Sequence, residues 1–469
     1  MSNIDWNSWT DNSVNNKYIS NYINLESEDD IIDFSKLNVY RYKIDMTIII
    51  PEDKTNNIKS EEIEVGYNEI TDFVVEHDYR DNFYPILRVS LVLKTYNCKK
   101  IQNNKNNIKF KIKFSKYKYD IEEIERNEEE VIFEDYFQPM FLNIIMDLTG
   151  EITNNELEDT SRESRRQLEI YLFNINHVNS NKTIINFIAN KCTPKNAVGY
   201  ILNQSNIKKV IMEIPTVTTE YSQILVPPKN FKNSIQTIGE QYGIFKHGFR
   251  QYLDFDRYYL LDNYINKKVP VEKGEYPNVY INVVRNYNSG KLKNGSYVSK
   301  ENECYMINTY DDILANTYSS LEKEVIGSKL RVYERSELDN AMEYNEKNNT
   351  YTFKKGYKEQ NLYSKGYNAT LPTGNTINDK VKYVYNNSEI ESNSTNIAMT
   401  TKYSNLEFTL SFMDIDVSIF TPNKRYLFKF QDINTAKLYN GVYMIEKLVY
   451  AYDCNKNSVF SMGKFIRIE

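Results

Sequence analysis

The stretch IKFKIKFSKYKY, residues Ile108–Tyr119, decides the fold. Ile108, Phe110, Ile112 and Phe114 fall on one side of an extended chain, and Lys109, Lys111 and Lys113 on the other. Period-two alternation of β-branched and aromatic residues against charge is the pattern of a strand with one wet face. The lysine face either meets an acidic partner or is solvated surface that deters edge-to-edge pairing. The Asn-rich run Asn103–Asn107 in front of it reads as a hairpin turn.

The same period extends outward in both directions. Upstream, Pro85–Lys94 (PILRVSLVLK) alternates, with Leu87, Val89, Leu91 and Leu93 on one side. Val39–Ile50 reads as a strand stopped by Pro51. Downstream, Arg165–Ile175 gives another, with Leu168, Ile170 and Leu172 facing one way. The acidic run Glu122–Glu130 between them reads as a solvated loop. Antiparallel strands of this kind must close on themselves or pack on a second sheet. A β-barrel over residues 36–190 is therefore the expected first domain. Residues 1–35 read as an N-terminal arm, in which Trp6 and Trp9, the chain's two tryptophans, stand in polar sequence. Such aromatics dock on the protein's own surface or on a partner's.

The middle of the chain, residues 191–325, changes period and reads as an α/β connector. Thr193 caps a short helix with Pro194 at its first position. A strand is expected within Ile207–Pro215. In the segment Thr219–Asp262, Pro227 and Pro228 end a strand and Asn230 is placed to cap a helix. Phe231, Ile235, Ile238 and Tyr242 then form one apolar stripe at spacings of four, three and four. Gly243 stands where a left-handed C-cap belongs. Two strands follow, reaching Asp256 and then Asp262. Residues 284–400 are turn-rich, with a candidate helix at Asp311–Val325. The last 70 or so residues return to strands. Phe408, Leu410 and Phe412 alternate, and Asn440-Gly441 is a hairpin signal. The fold class is thus mainly β with an α+β connector.

Composition narrows the function. The 469 residues carry 58 Lys and Arg against 64 Asp and Glu, a formal charge of −6, which offers no global attraction to nucleic acid or anionic membrane. The 40 Tyr and 22 Phe favour strands and broad contact surfaces. The N-terminus lacks an apolar signal region, and no run approaches the length of a membrane span. Cys98, Cys192, Cys304 and Cys454 are scattered, without the paired spacing of a zinc or redox motif, and read as reduced thiols of a chain made in the cytosol. His77, His177 and His247 lie far apart, and no phosphate-binding loop or nucleophile motif is present; Ser289-Gly290-Lys291 is a surface turn. Asp254 and Asp256, two apart on an expected strand, share a face and suit acid–base work on paper. Among 64 acidic residues such a pair arises readily by chance. These features point to no catalytic residue, cofactor or metal, and to a non-enzymatic building block of a multi-subunit assembly.

The segment Ile224–Leu261 resembles the central segment of tail and baseplate hub proteins of contractile-tailed bacteriophages. The ending Gly441–Ile468 is similar to the closing strands of that family's second barrel, and Asp78–Leu93 is more loosely like its first. The resemblance implies two tube-like β-barrels joined by a helix-plus-hairpin module, with the second over 326–469 and interrupted by turn-rich insertions. It implies a virion protein of the tail or baseplate, made in the host cytoplasm. As a homotrimer it would place six barrels in a ring, matching a six-fold tail tube to a three-fold spike. Expected partners are the chain itself, tail tube and spike proteins, and tape-measure or other baseplate proteins. The alternatives are another tail component, such as a distal tail or adhesin protein, and a tail-associated cell-wall hydrolase.

Overall fold

A computed structural model describes residues 39–52, 60–119, 129–145, 165–205, 207, 209–245, 249–262, 271, 278–285, 295–298, 303–309, 314–316, 330–334, 342–345, 350–353, 380–384, 407–430 and 439–467. Strands dominate it. The N-terminal half supplies β1 (Val39–Ile50), β2 (Glu61–Val65), β3 (Ile70–Asp78), β4 (Ile86–Lys94), helix α1 (Thr95–Asn103), β5 (Lys109–Tyr119), β6 (Glu130–Ile145) and β7 (Arg165–Asn174). The alternation seen in β5 is real: Phe110, Ile112 and Phe114 are fully buried. Lys111 and Lys113 point outward and pair with Glu134 and Glu129 at 3.0 Å each. At Phe114/Ser115 the ladder to β6 slips, and Ser115 is buried as well. Lys116 shares the inward side of Phe110, Ile112 and Phe114, and there its Nζ lies 2.5 Å from Asp416 Oδ2. The expected hairpin at Asn103–Asn107 is not there. Its place is taken by α1 and a turn, and β4 and β5 are not neighbours: β4 pairs with β3 and β7, β5 with β1 and β6.

The connector contains α2 (Ile175–Lys182), β8 (Ile184–Cys192), α3 (Pro194–Gln204), β9 (Val210–Met212), β10 (Tyr221–Asn230), α4 (Phe231–Gln241), β11 (Phe249–Leu253) and β12 (Tyr258–Asp262). Thr193 Oγ1 accepts from Asn196 N, and Asn230 Oδ1 accepts from Asn233 N, which starts α3 and α4. β10 runs through Pro227 and Pro228 rather than ending before them. The prolines sit in a bulge between Val226 and Lys229, where the ladder to β8 shifts, the position in a sheet that tolerates a missing N–H. Phe231, Ile235 and Ile238 are fully buried and Tyr242 is 7% exposed, in one core with Ile185, Val198, Ile224, Val226 and Tyr258. Gly243 has φ of 79°, the left-handed region that glycine enters without steric cost. Gly239 makes a closer demand: a Cβ there would lie 2.0 Å from the Phe249 ring.

The remaining strands are β13 (Asn278–Arg285), β14 (Gly295–Val298), β15 (Glu303–Thr309), β16 (Leu314–Asn316), β17 (Leu330–Glu334), β18 (Met342–Asn345), β19 (Thr350–Phe353), β20 (Lys380–Val384), β21 (Glu407–Met413), β22 (Arg425–Phe430), β23 (Gly441–Asp453) and β24 (Ser458–Arg467). β16 occupies part of the expected Asp311–Val325 helix, and the rest of that segment lies outside the described residues. Asn440-Gly441 is not a two-residue hairpin. β22 and β23 do pair antiparallel, but their connection starts after Phe430; Asn440 Oδ1 instead accepts from Phe430 N at 2.8 Å.

One 15-stranded sheet joins both ends of the chain, in the order β14-β15-β13-β22-β23-β3-β4-β7-β6-β5-β1-β2, with β24, β21 and β16 branching from β23. The branch point is β23. Its first residues pair with β22, its later ones with β3, and its other edge with β24 along most of its length. β13 to β15, which the sequence places in the connector, join this sheet through β22. Among the described residues the ladder does not close on itself, so the fold is mainly β without a closed barrel. Tyr42 stacks on Phe114 at 5.5 Å, and Phe114 on Tyr450 at 5.9 Å, which ties the first strand to β23 through the core. Ile235→Asp should lower unfolding free energy by several kcal/mol, since a lone buried carboxylate has no partner here. Gly243→Val should cost about 1–2 kcal/mol from its left-handed backbone. Urea titration of the purified chain reads both.

Candidate assembly interface

The molecule carries two kinds of candidate site, buried polar clusters and exposed apolar surface. The first occurs where the β11–β12 turn meets the sheet. Asp254 N donates to Arg257 O at 2.8 Å, so Asp254 to Arg257 form the turn of this hairpin. Asp254 and Asp256 thus lie in a turn and not on a strand, and they do not share a face. Asp254 is buried, which pushes its carboxyl up to about 7. Asp256 is half-exposed. Burial opposes its charge, but Arg257 and Lys209 outweigh that and hold it below the usual range.

His77 Nδ1 lies 3.1 Å from Tyr252 Oη and 3.8 Å from Asp254 Oδ1. His177 Nε2 donates to Asp254 O at 2.6 Å. Phe255 fills the space between the two imidazoles, 5.7 Å from one ring and 6.3 Å from the other. Burial lowers His77 to about 3 and His177 to about 4. Among the described residues no group of three metal-ligating side chains gathers. The cluster is a polar rivet between connector and sheet. His247 lies outside the described residues.

Neighbouring charged contacts tie strands of the sheet to one another. Arg80 bonds Glu446 at 2.7 Å, and Lys464 reaches Glu407 and Glu446 at 2.9 and 2.8 Å. Arg250 donates to Met444 Sδ and Pro422 O. Burial raises Glu213 to about 8 in this region, with Asp262 adding to the shift.

The exposed surface offers more. Register pairs place Met413, Phe460, Ala451, Val74, Arg88, Tyr171 and Phe141 in one row across the same sheet face, from β21 through β24, β23, β3, β4 and β7 to β6. Met462 and Val449 form the start of a second row. Met413, Phe460 and Met462 are 41–48% exposed, and Phe141 is 55% exposed. Within the row Arg88 pairs with Asp72 at 2.8 Å, and beside it Lys447 pairs with Glu76 at 2.5 Å. Apolar groups beside charged pairs are the composition of an interface core and rim. Reading the sequence alone overlooked this surface. Phe460 and Met462 do stand at the outward positions of the last strand, but only the register shows what they adjoin.

The residues singled out from sequence sit elsewhere. Phe231, Ile235, Ile238, Tyr242 and Gly243 lie together inside the connector core and its cap. Trp6 and Trp9 lie outside the described residues.

The histidine cluster gives a pH dependence. Both imidazoles are held neutral below their ordinary value, so the folded state binds fewer protons than the unfolded one. Stability should then fall as pH drops through 6.5 toward 4. The His77→Gln, His177→Gln double variant should flatten this decline in Tm measured from pH 7 to 4.

The chain is similar to several solved structures at low sequence identity. A tail protein from Neisseria meningitidis has 6% identity, with 90% of this chain and 96% of that one covered at a TM-score of 0.47. The 43 kDa tail protein of prophage MuSo2 from Shewanella oneidensis has 7% identity, with coverage of 91% and 97% and a TM-score of 0.45. A prophage tail protein from Listeria monocytogenes has 9% identity, with coverage of 89% and 94% and a TM-score of 0.34. No curated protein sequence matches the chain. The model of the bacteriophage PBS1 gene 109 protein matches residues 31–467. The chain therefore belongs to the bacteriophage PBS1 gene 109 protein family, and the expectation of a bacteriophage protein is borne out.

Proposed function

We propose that the protein is a structural hub of a phage tail or baseplate, a homotrimer that adapts a six-fold tube to a three-fold spike. The observation that carries the reading is the outward apolar row running across the continuous sheet, a surface suited to packing against other subunits. Two barrels per chain are part of the proposal. β1, β5, β6, β7, β4 and β3 would form the first, and β13, β15, β22, β24 and β21 the second, with β23 common to both. Support for closure of the first comes from the far edge of β1. Tyr40 N donates to Asp414 O at 3.2 Å and Tyr42 N to Asn457 O at 3.0 Å. Tyr42 Oη also donates to Ile415 O. These bonds bring the first strand back against the segments flanking β21 and β24.

In this reading three chains contribute six barrels, and the ring closes by heterologous contacts between unlike barrel faces. The virion tail is its place, and tube and spike proteins are its partners. A distal tail or adhesin role would leave the sheet face free for host contact rather than for subunits. A cell-wall hydrolase would need a reactive constellation, which the buried His77–Asp254 cluster does not offer to a polymer.

Light scattering of the purified chain should give a mass of three 55.5 kDa subunits, and particles should hold a copy number divisible by three. Monomers in solution together with another copy number in particles would contradict the hub. Phe460→Glu should leave Tm within a few degrees while reducing trimer at least about tenfold, since a rim-to-core charge costs over 1.4 kcal/mol of association. A zymogram on host cell wall should stay unlysed.

A further inference from the structure

We propose that the free edge of β8 accepts an extended segment of a different protein of the tail assembly as an added strand. The inference uses the proposed place in a tail assembly but not the trimer.

β8 and β10 form a two-stranded sheet of their own. Its two edges differ. The edge of β10 is closed: Pro227 and Pro228 lack N–H groups, and Leu225 N already donates to Tyr242 Oη at 2.9 Å. Because Leu225 N turns away from β8, Leu225 and its partner Ile188 form a pair without mutual hydrogen bonds. The N–H and C=O of Ile188 therefore point away from β10, and those of Asn186 and Asn190 with them. Among the described residues no strand pairs with that edge.

Side chains set this edge apart. β2, the end strand of the large sheet, carries exposed Glu62 and Glu64, charges that discourage pairing. β8 carries Ile184, Asn186, Ile188 and Asn190 outward, all exposed and none charged. Ile184 and Ile188 are 65% and 60% exposed, and Leu225 beside Ile188 is 47% exposed. An isolated two-stranded sheet is marginal in water, and strand addition is a common way to complete one.

Charge selects the occupant. Exposed Lys182 and Lys191 stand at opposite ends of β8. A second copy pairing antiparallel through its own β8 would bring these lysines together, and like charges across a ladder are unfavourable. An incoming segment that is apolar or uncharged in its middle and acidic at its ends satisfies both the face and the ends.

Amide hydrogen exchange on the full chain and on assembled particles tests this. In the purified chain, Asn186, Ile188 and Asn190 should exchange fast while Ile185, Phe187 and Ala189 are slow. In particles the first three should slow by about tenfold or more. Unchanged exchange in particles would overturn the proposal. Protection that rises with concentration of the purified chain would also overturn it, since that is self-pairing. Ile188→Pro deletes only the outward N–H and should abolish the protection in particles with Tm retained. If this variant fails to fold, Ile188→Lys replaces it with the same expectation. A copy number not divisible by three in those particles would sink the hub reading alone, and an unprotected edge at three copies would sink the strand proposal alone.

Discussion

Strand β23 is the constraint on which the rest of the structure depends. It is hydrogen-bonded along both edges, to β22 and then β3 on one side and to β24 on the other. A slip of one residue would turn its inward set, Ile445, Leu448, Tyr450 and Tyr452, to the outside. The bulge between Ile445 and Lys447 fixes the register on the β24 side. Through this strand the N-terminal and C-terminal halves become one sheet with one core.

The same geometry makes the surface. Residues paired across a ladder share a face, so fixing Tyr450 inside also fixes Val449 and Ala451 outside. The neighbours inherit that choice, which aligns Phe460, Met413 and Val74 with them. In the proposed assembly role, function follows from this register. The His77–Asp254 cluster and the bonds of Arg250 to Met444 and Pro422 hold the connector against the sheet, and the Arg80–Glu446–Lys464 contacts tie β23 to its neighbours within it.

Much of this was legible in the sequence, and the limits have physical causes. Strands such as β4, β5 and β21 announce themselves because burial on one face imposes period two. Helix α4 did so through Asn230, Gly243 and its apolar stripe, all local signals. Pairing is non-local, so Asn103–Asn107 suggested a hairpin between two strands that are not neighbours. Bulges also defeat pattern reading. Pro227 and Pro228 read as the end of a strand, yet a bulge in the ladder to β8 lets β10 run through them. Asp254 and Asp256 looked like a strand pair because the turn between β11 and β12 has no glycine or proline to mark it. The outward row could not be seen at all without the register of seven strands.

Native-state amide exchange resolved along β23 tests the central claim most directly. If this strand joins the halves into one cooperative sheet, the inward-bonded amides of Leu448–Tyr452 should exchange only through the same global opening as those of β4 and β13, with one common free energy. Exchange of the β1–β7 half at a free energy well separated from that of the β21–β24 half would show two independent units, and would contradict it.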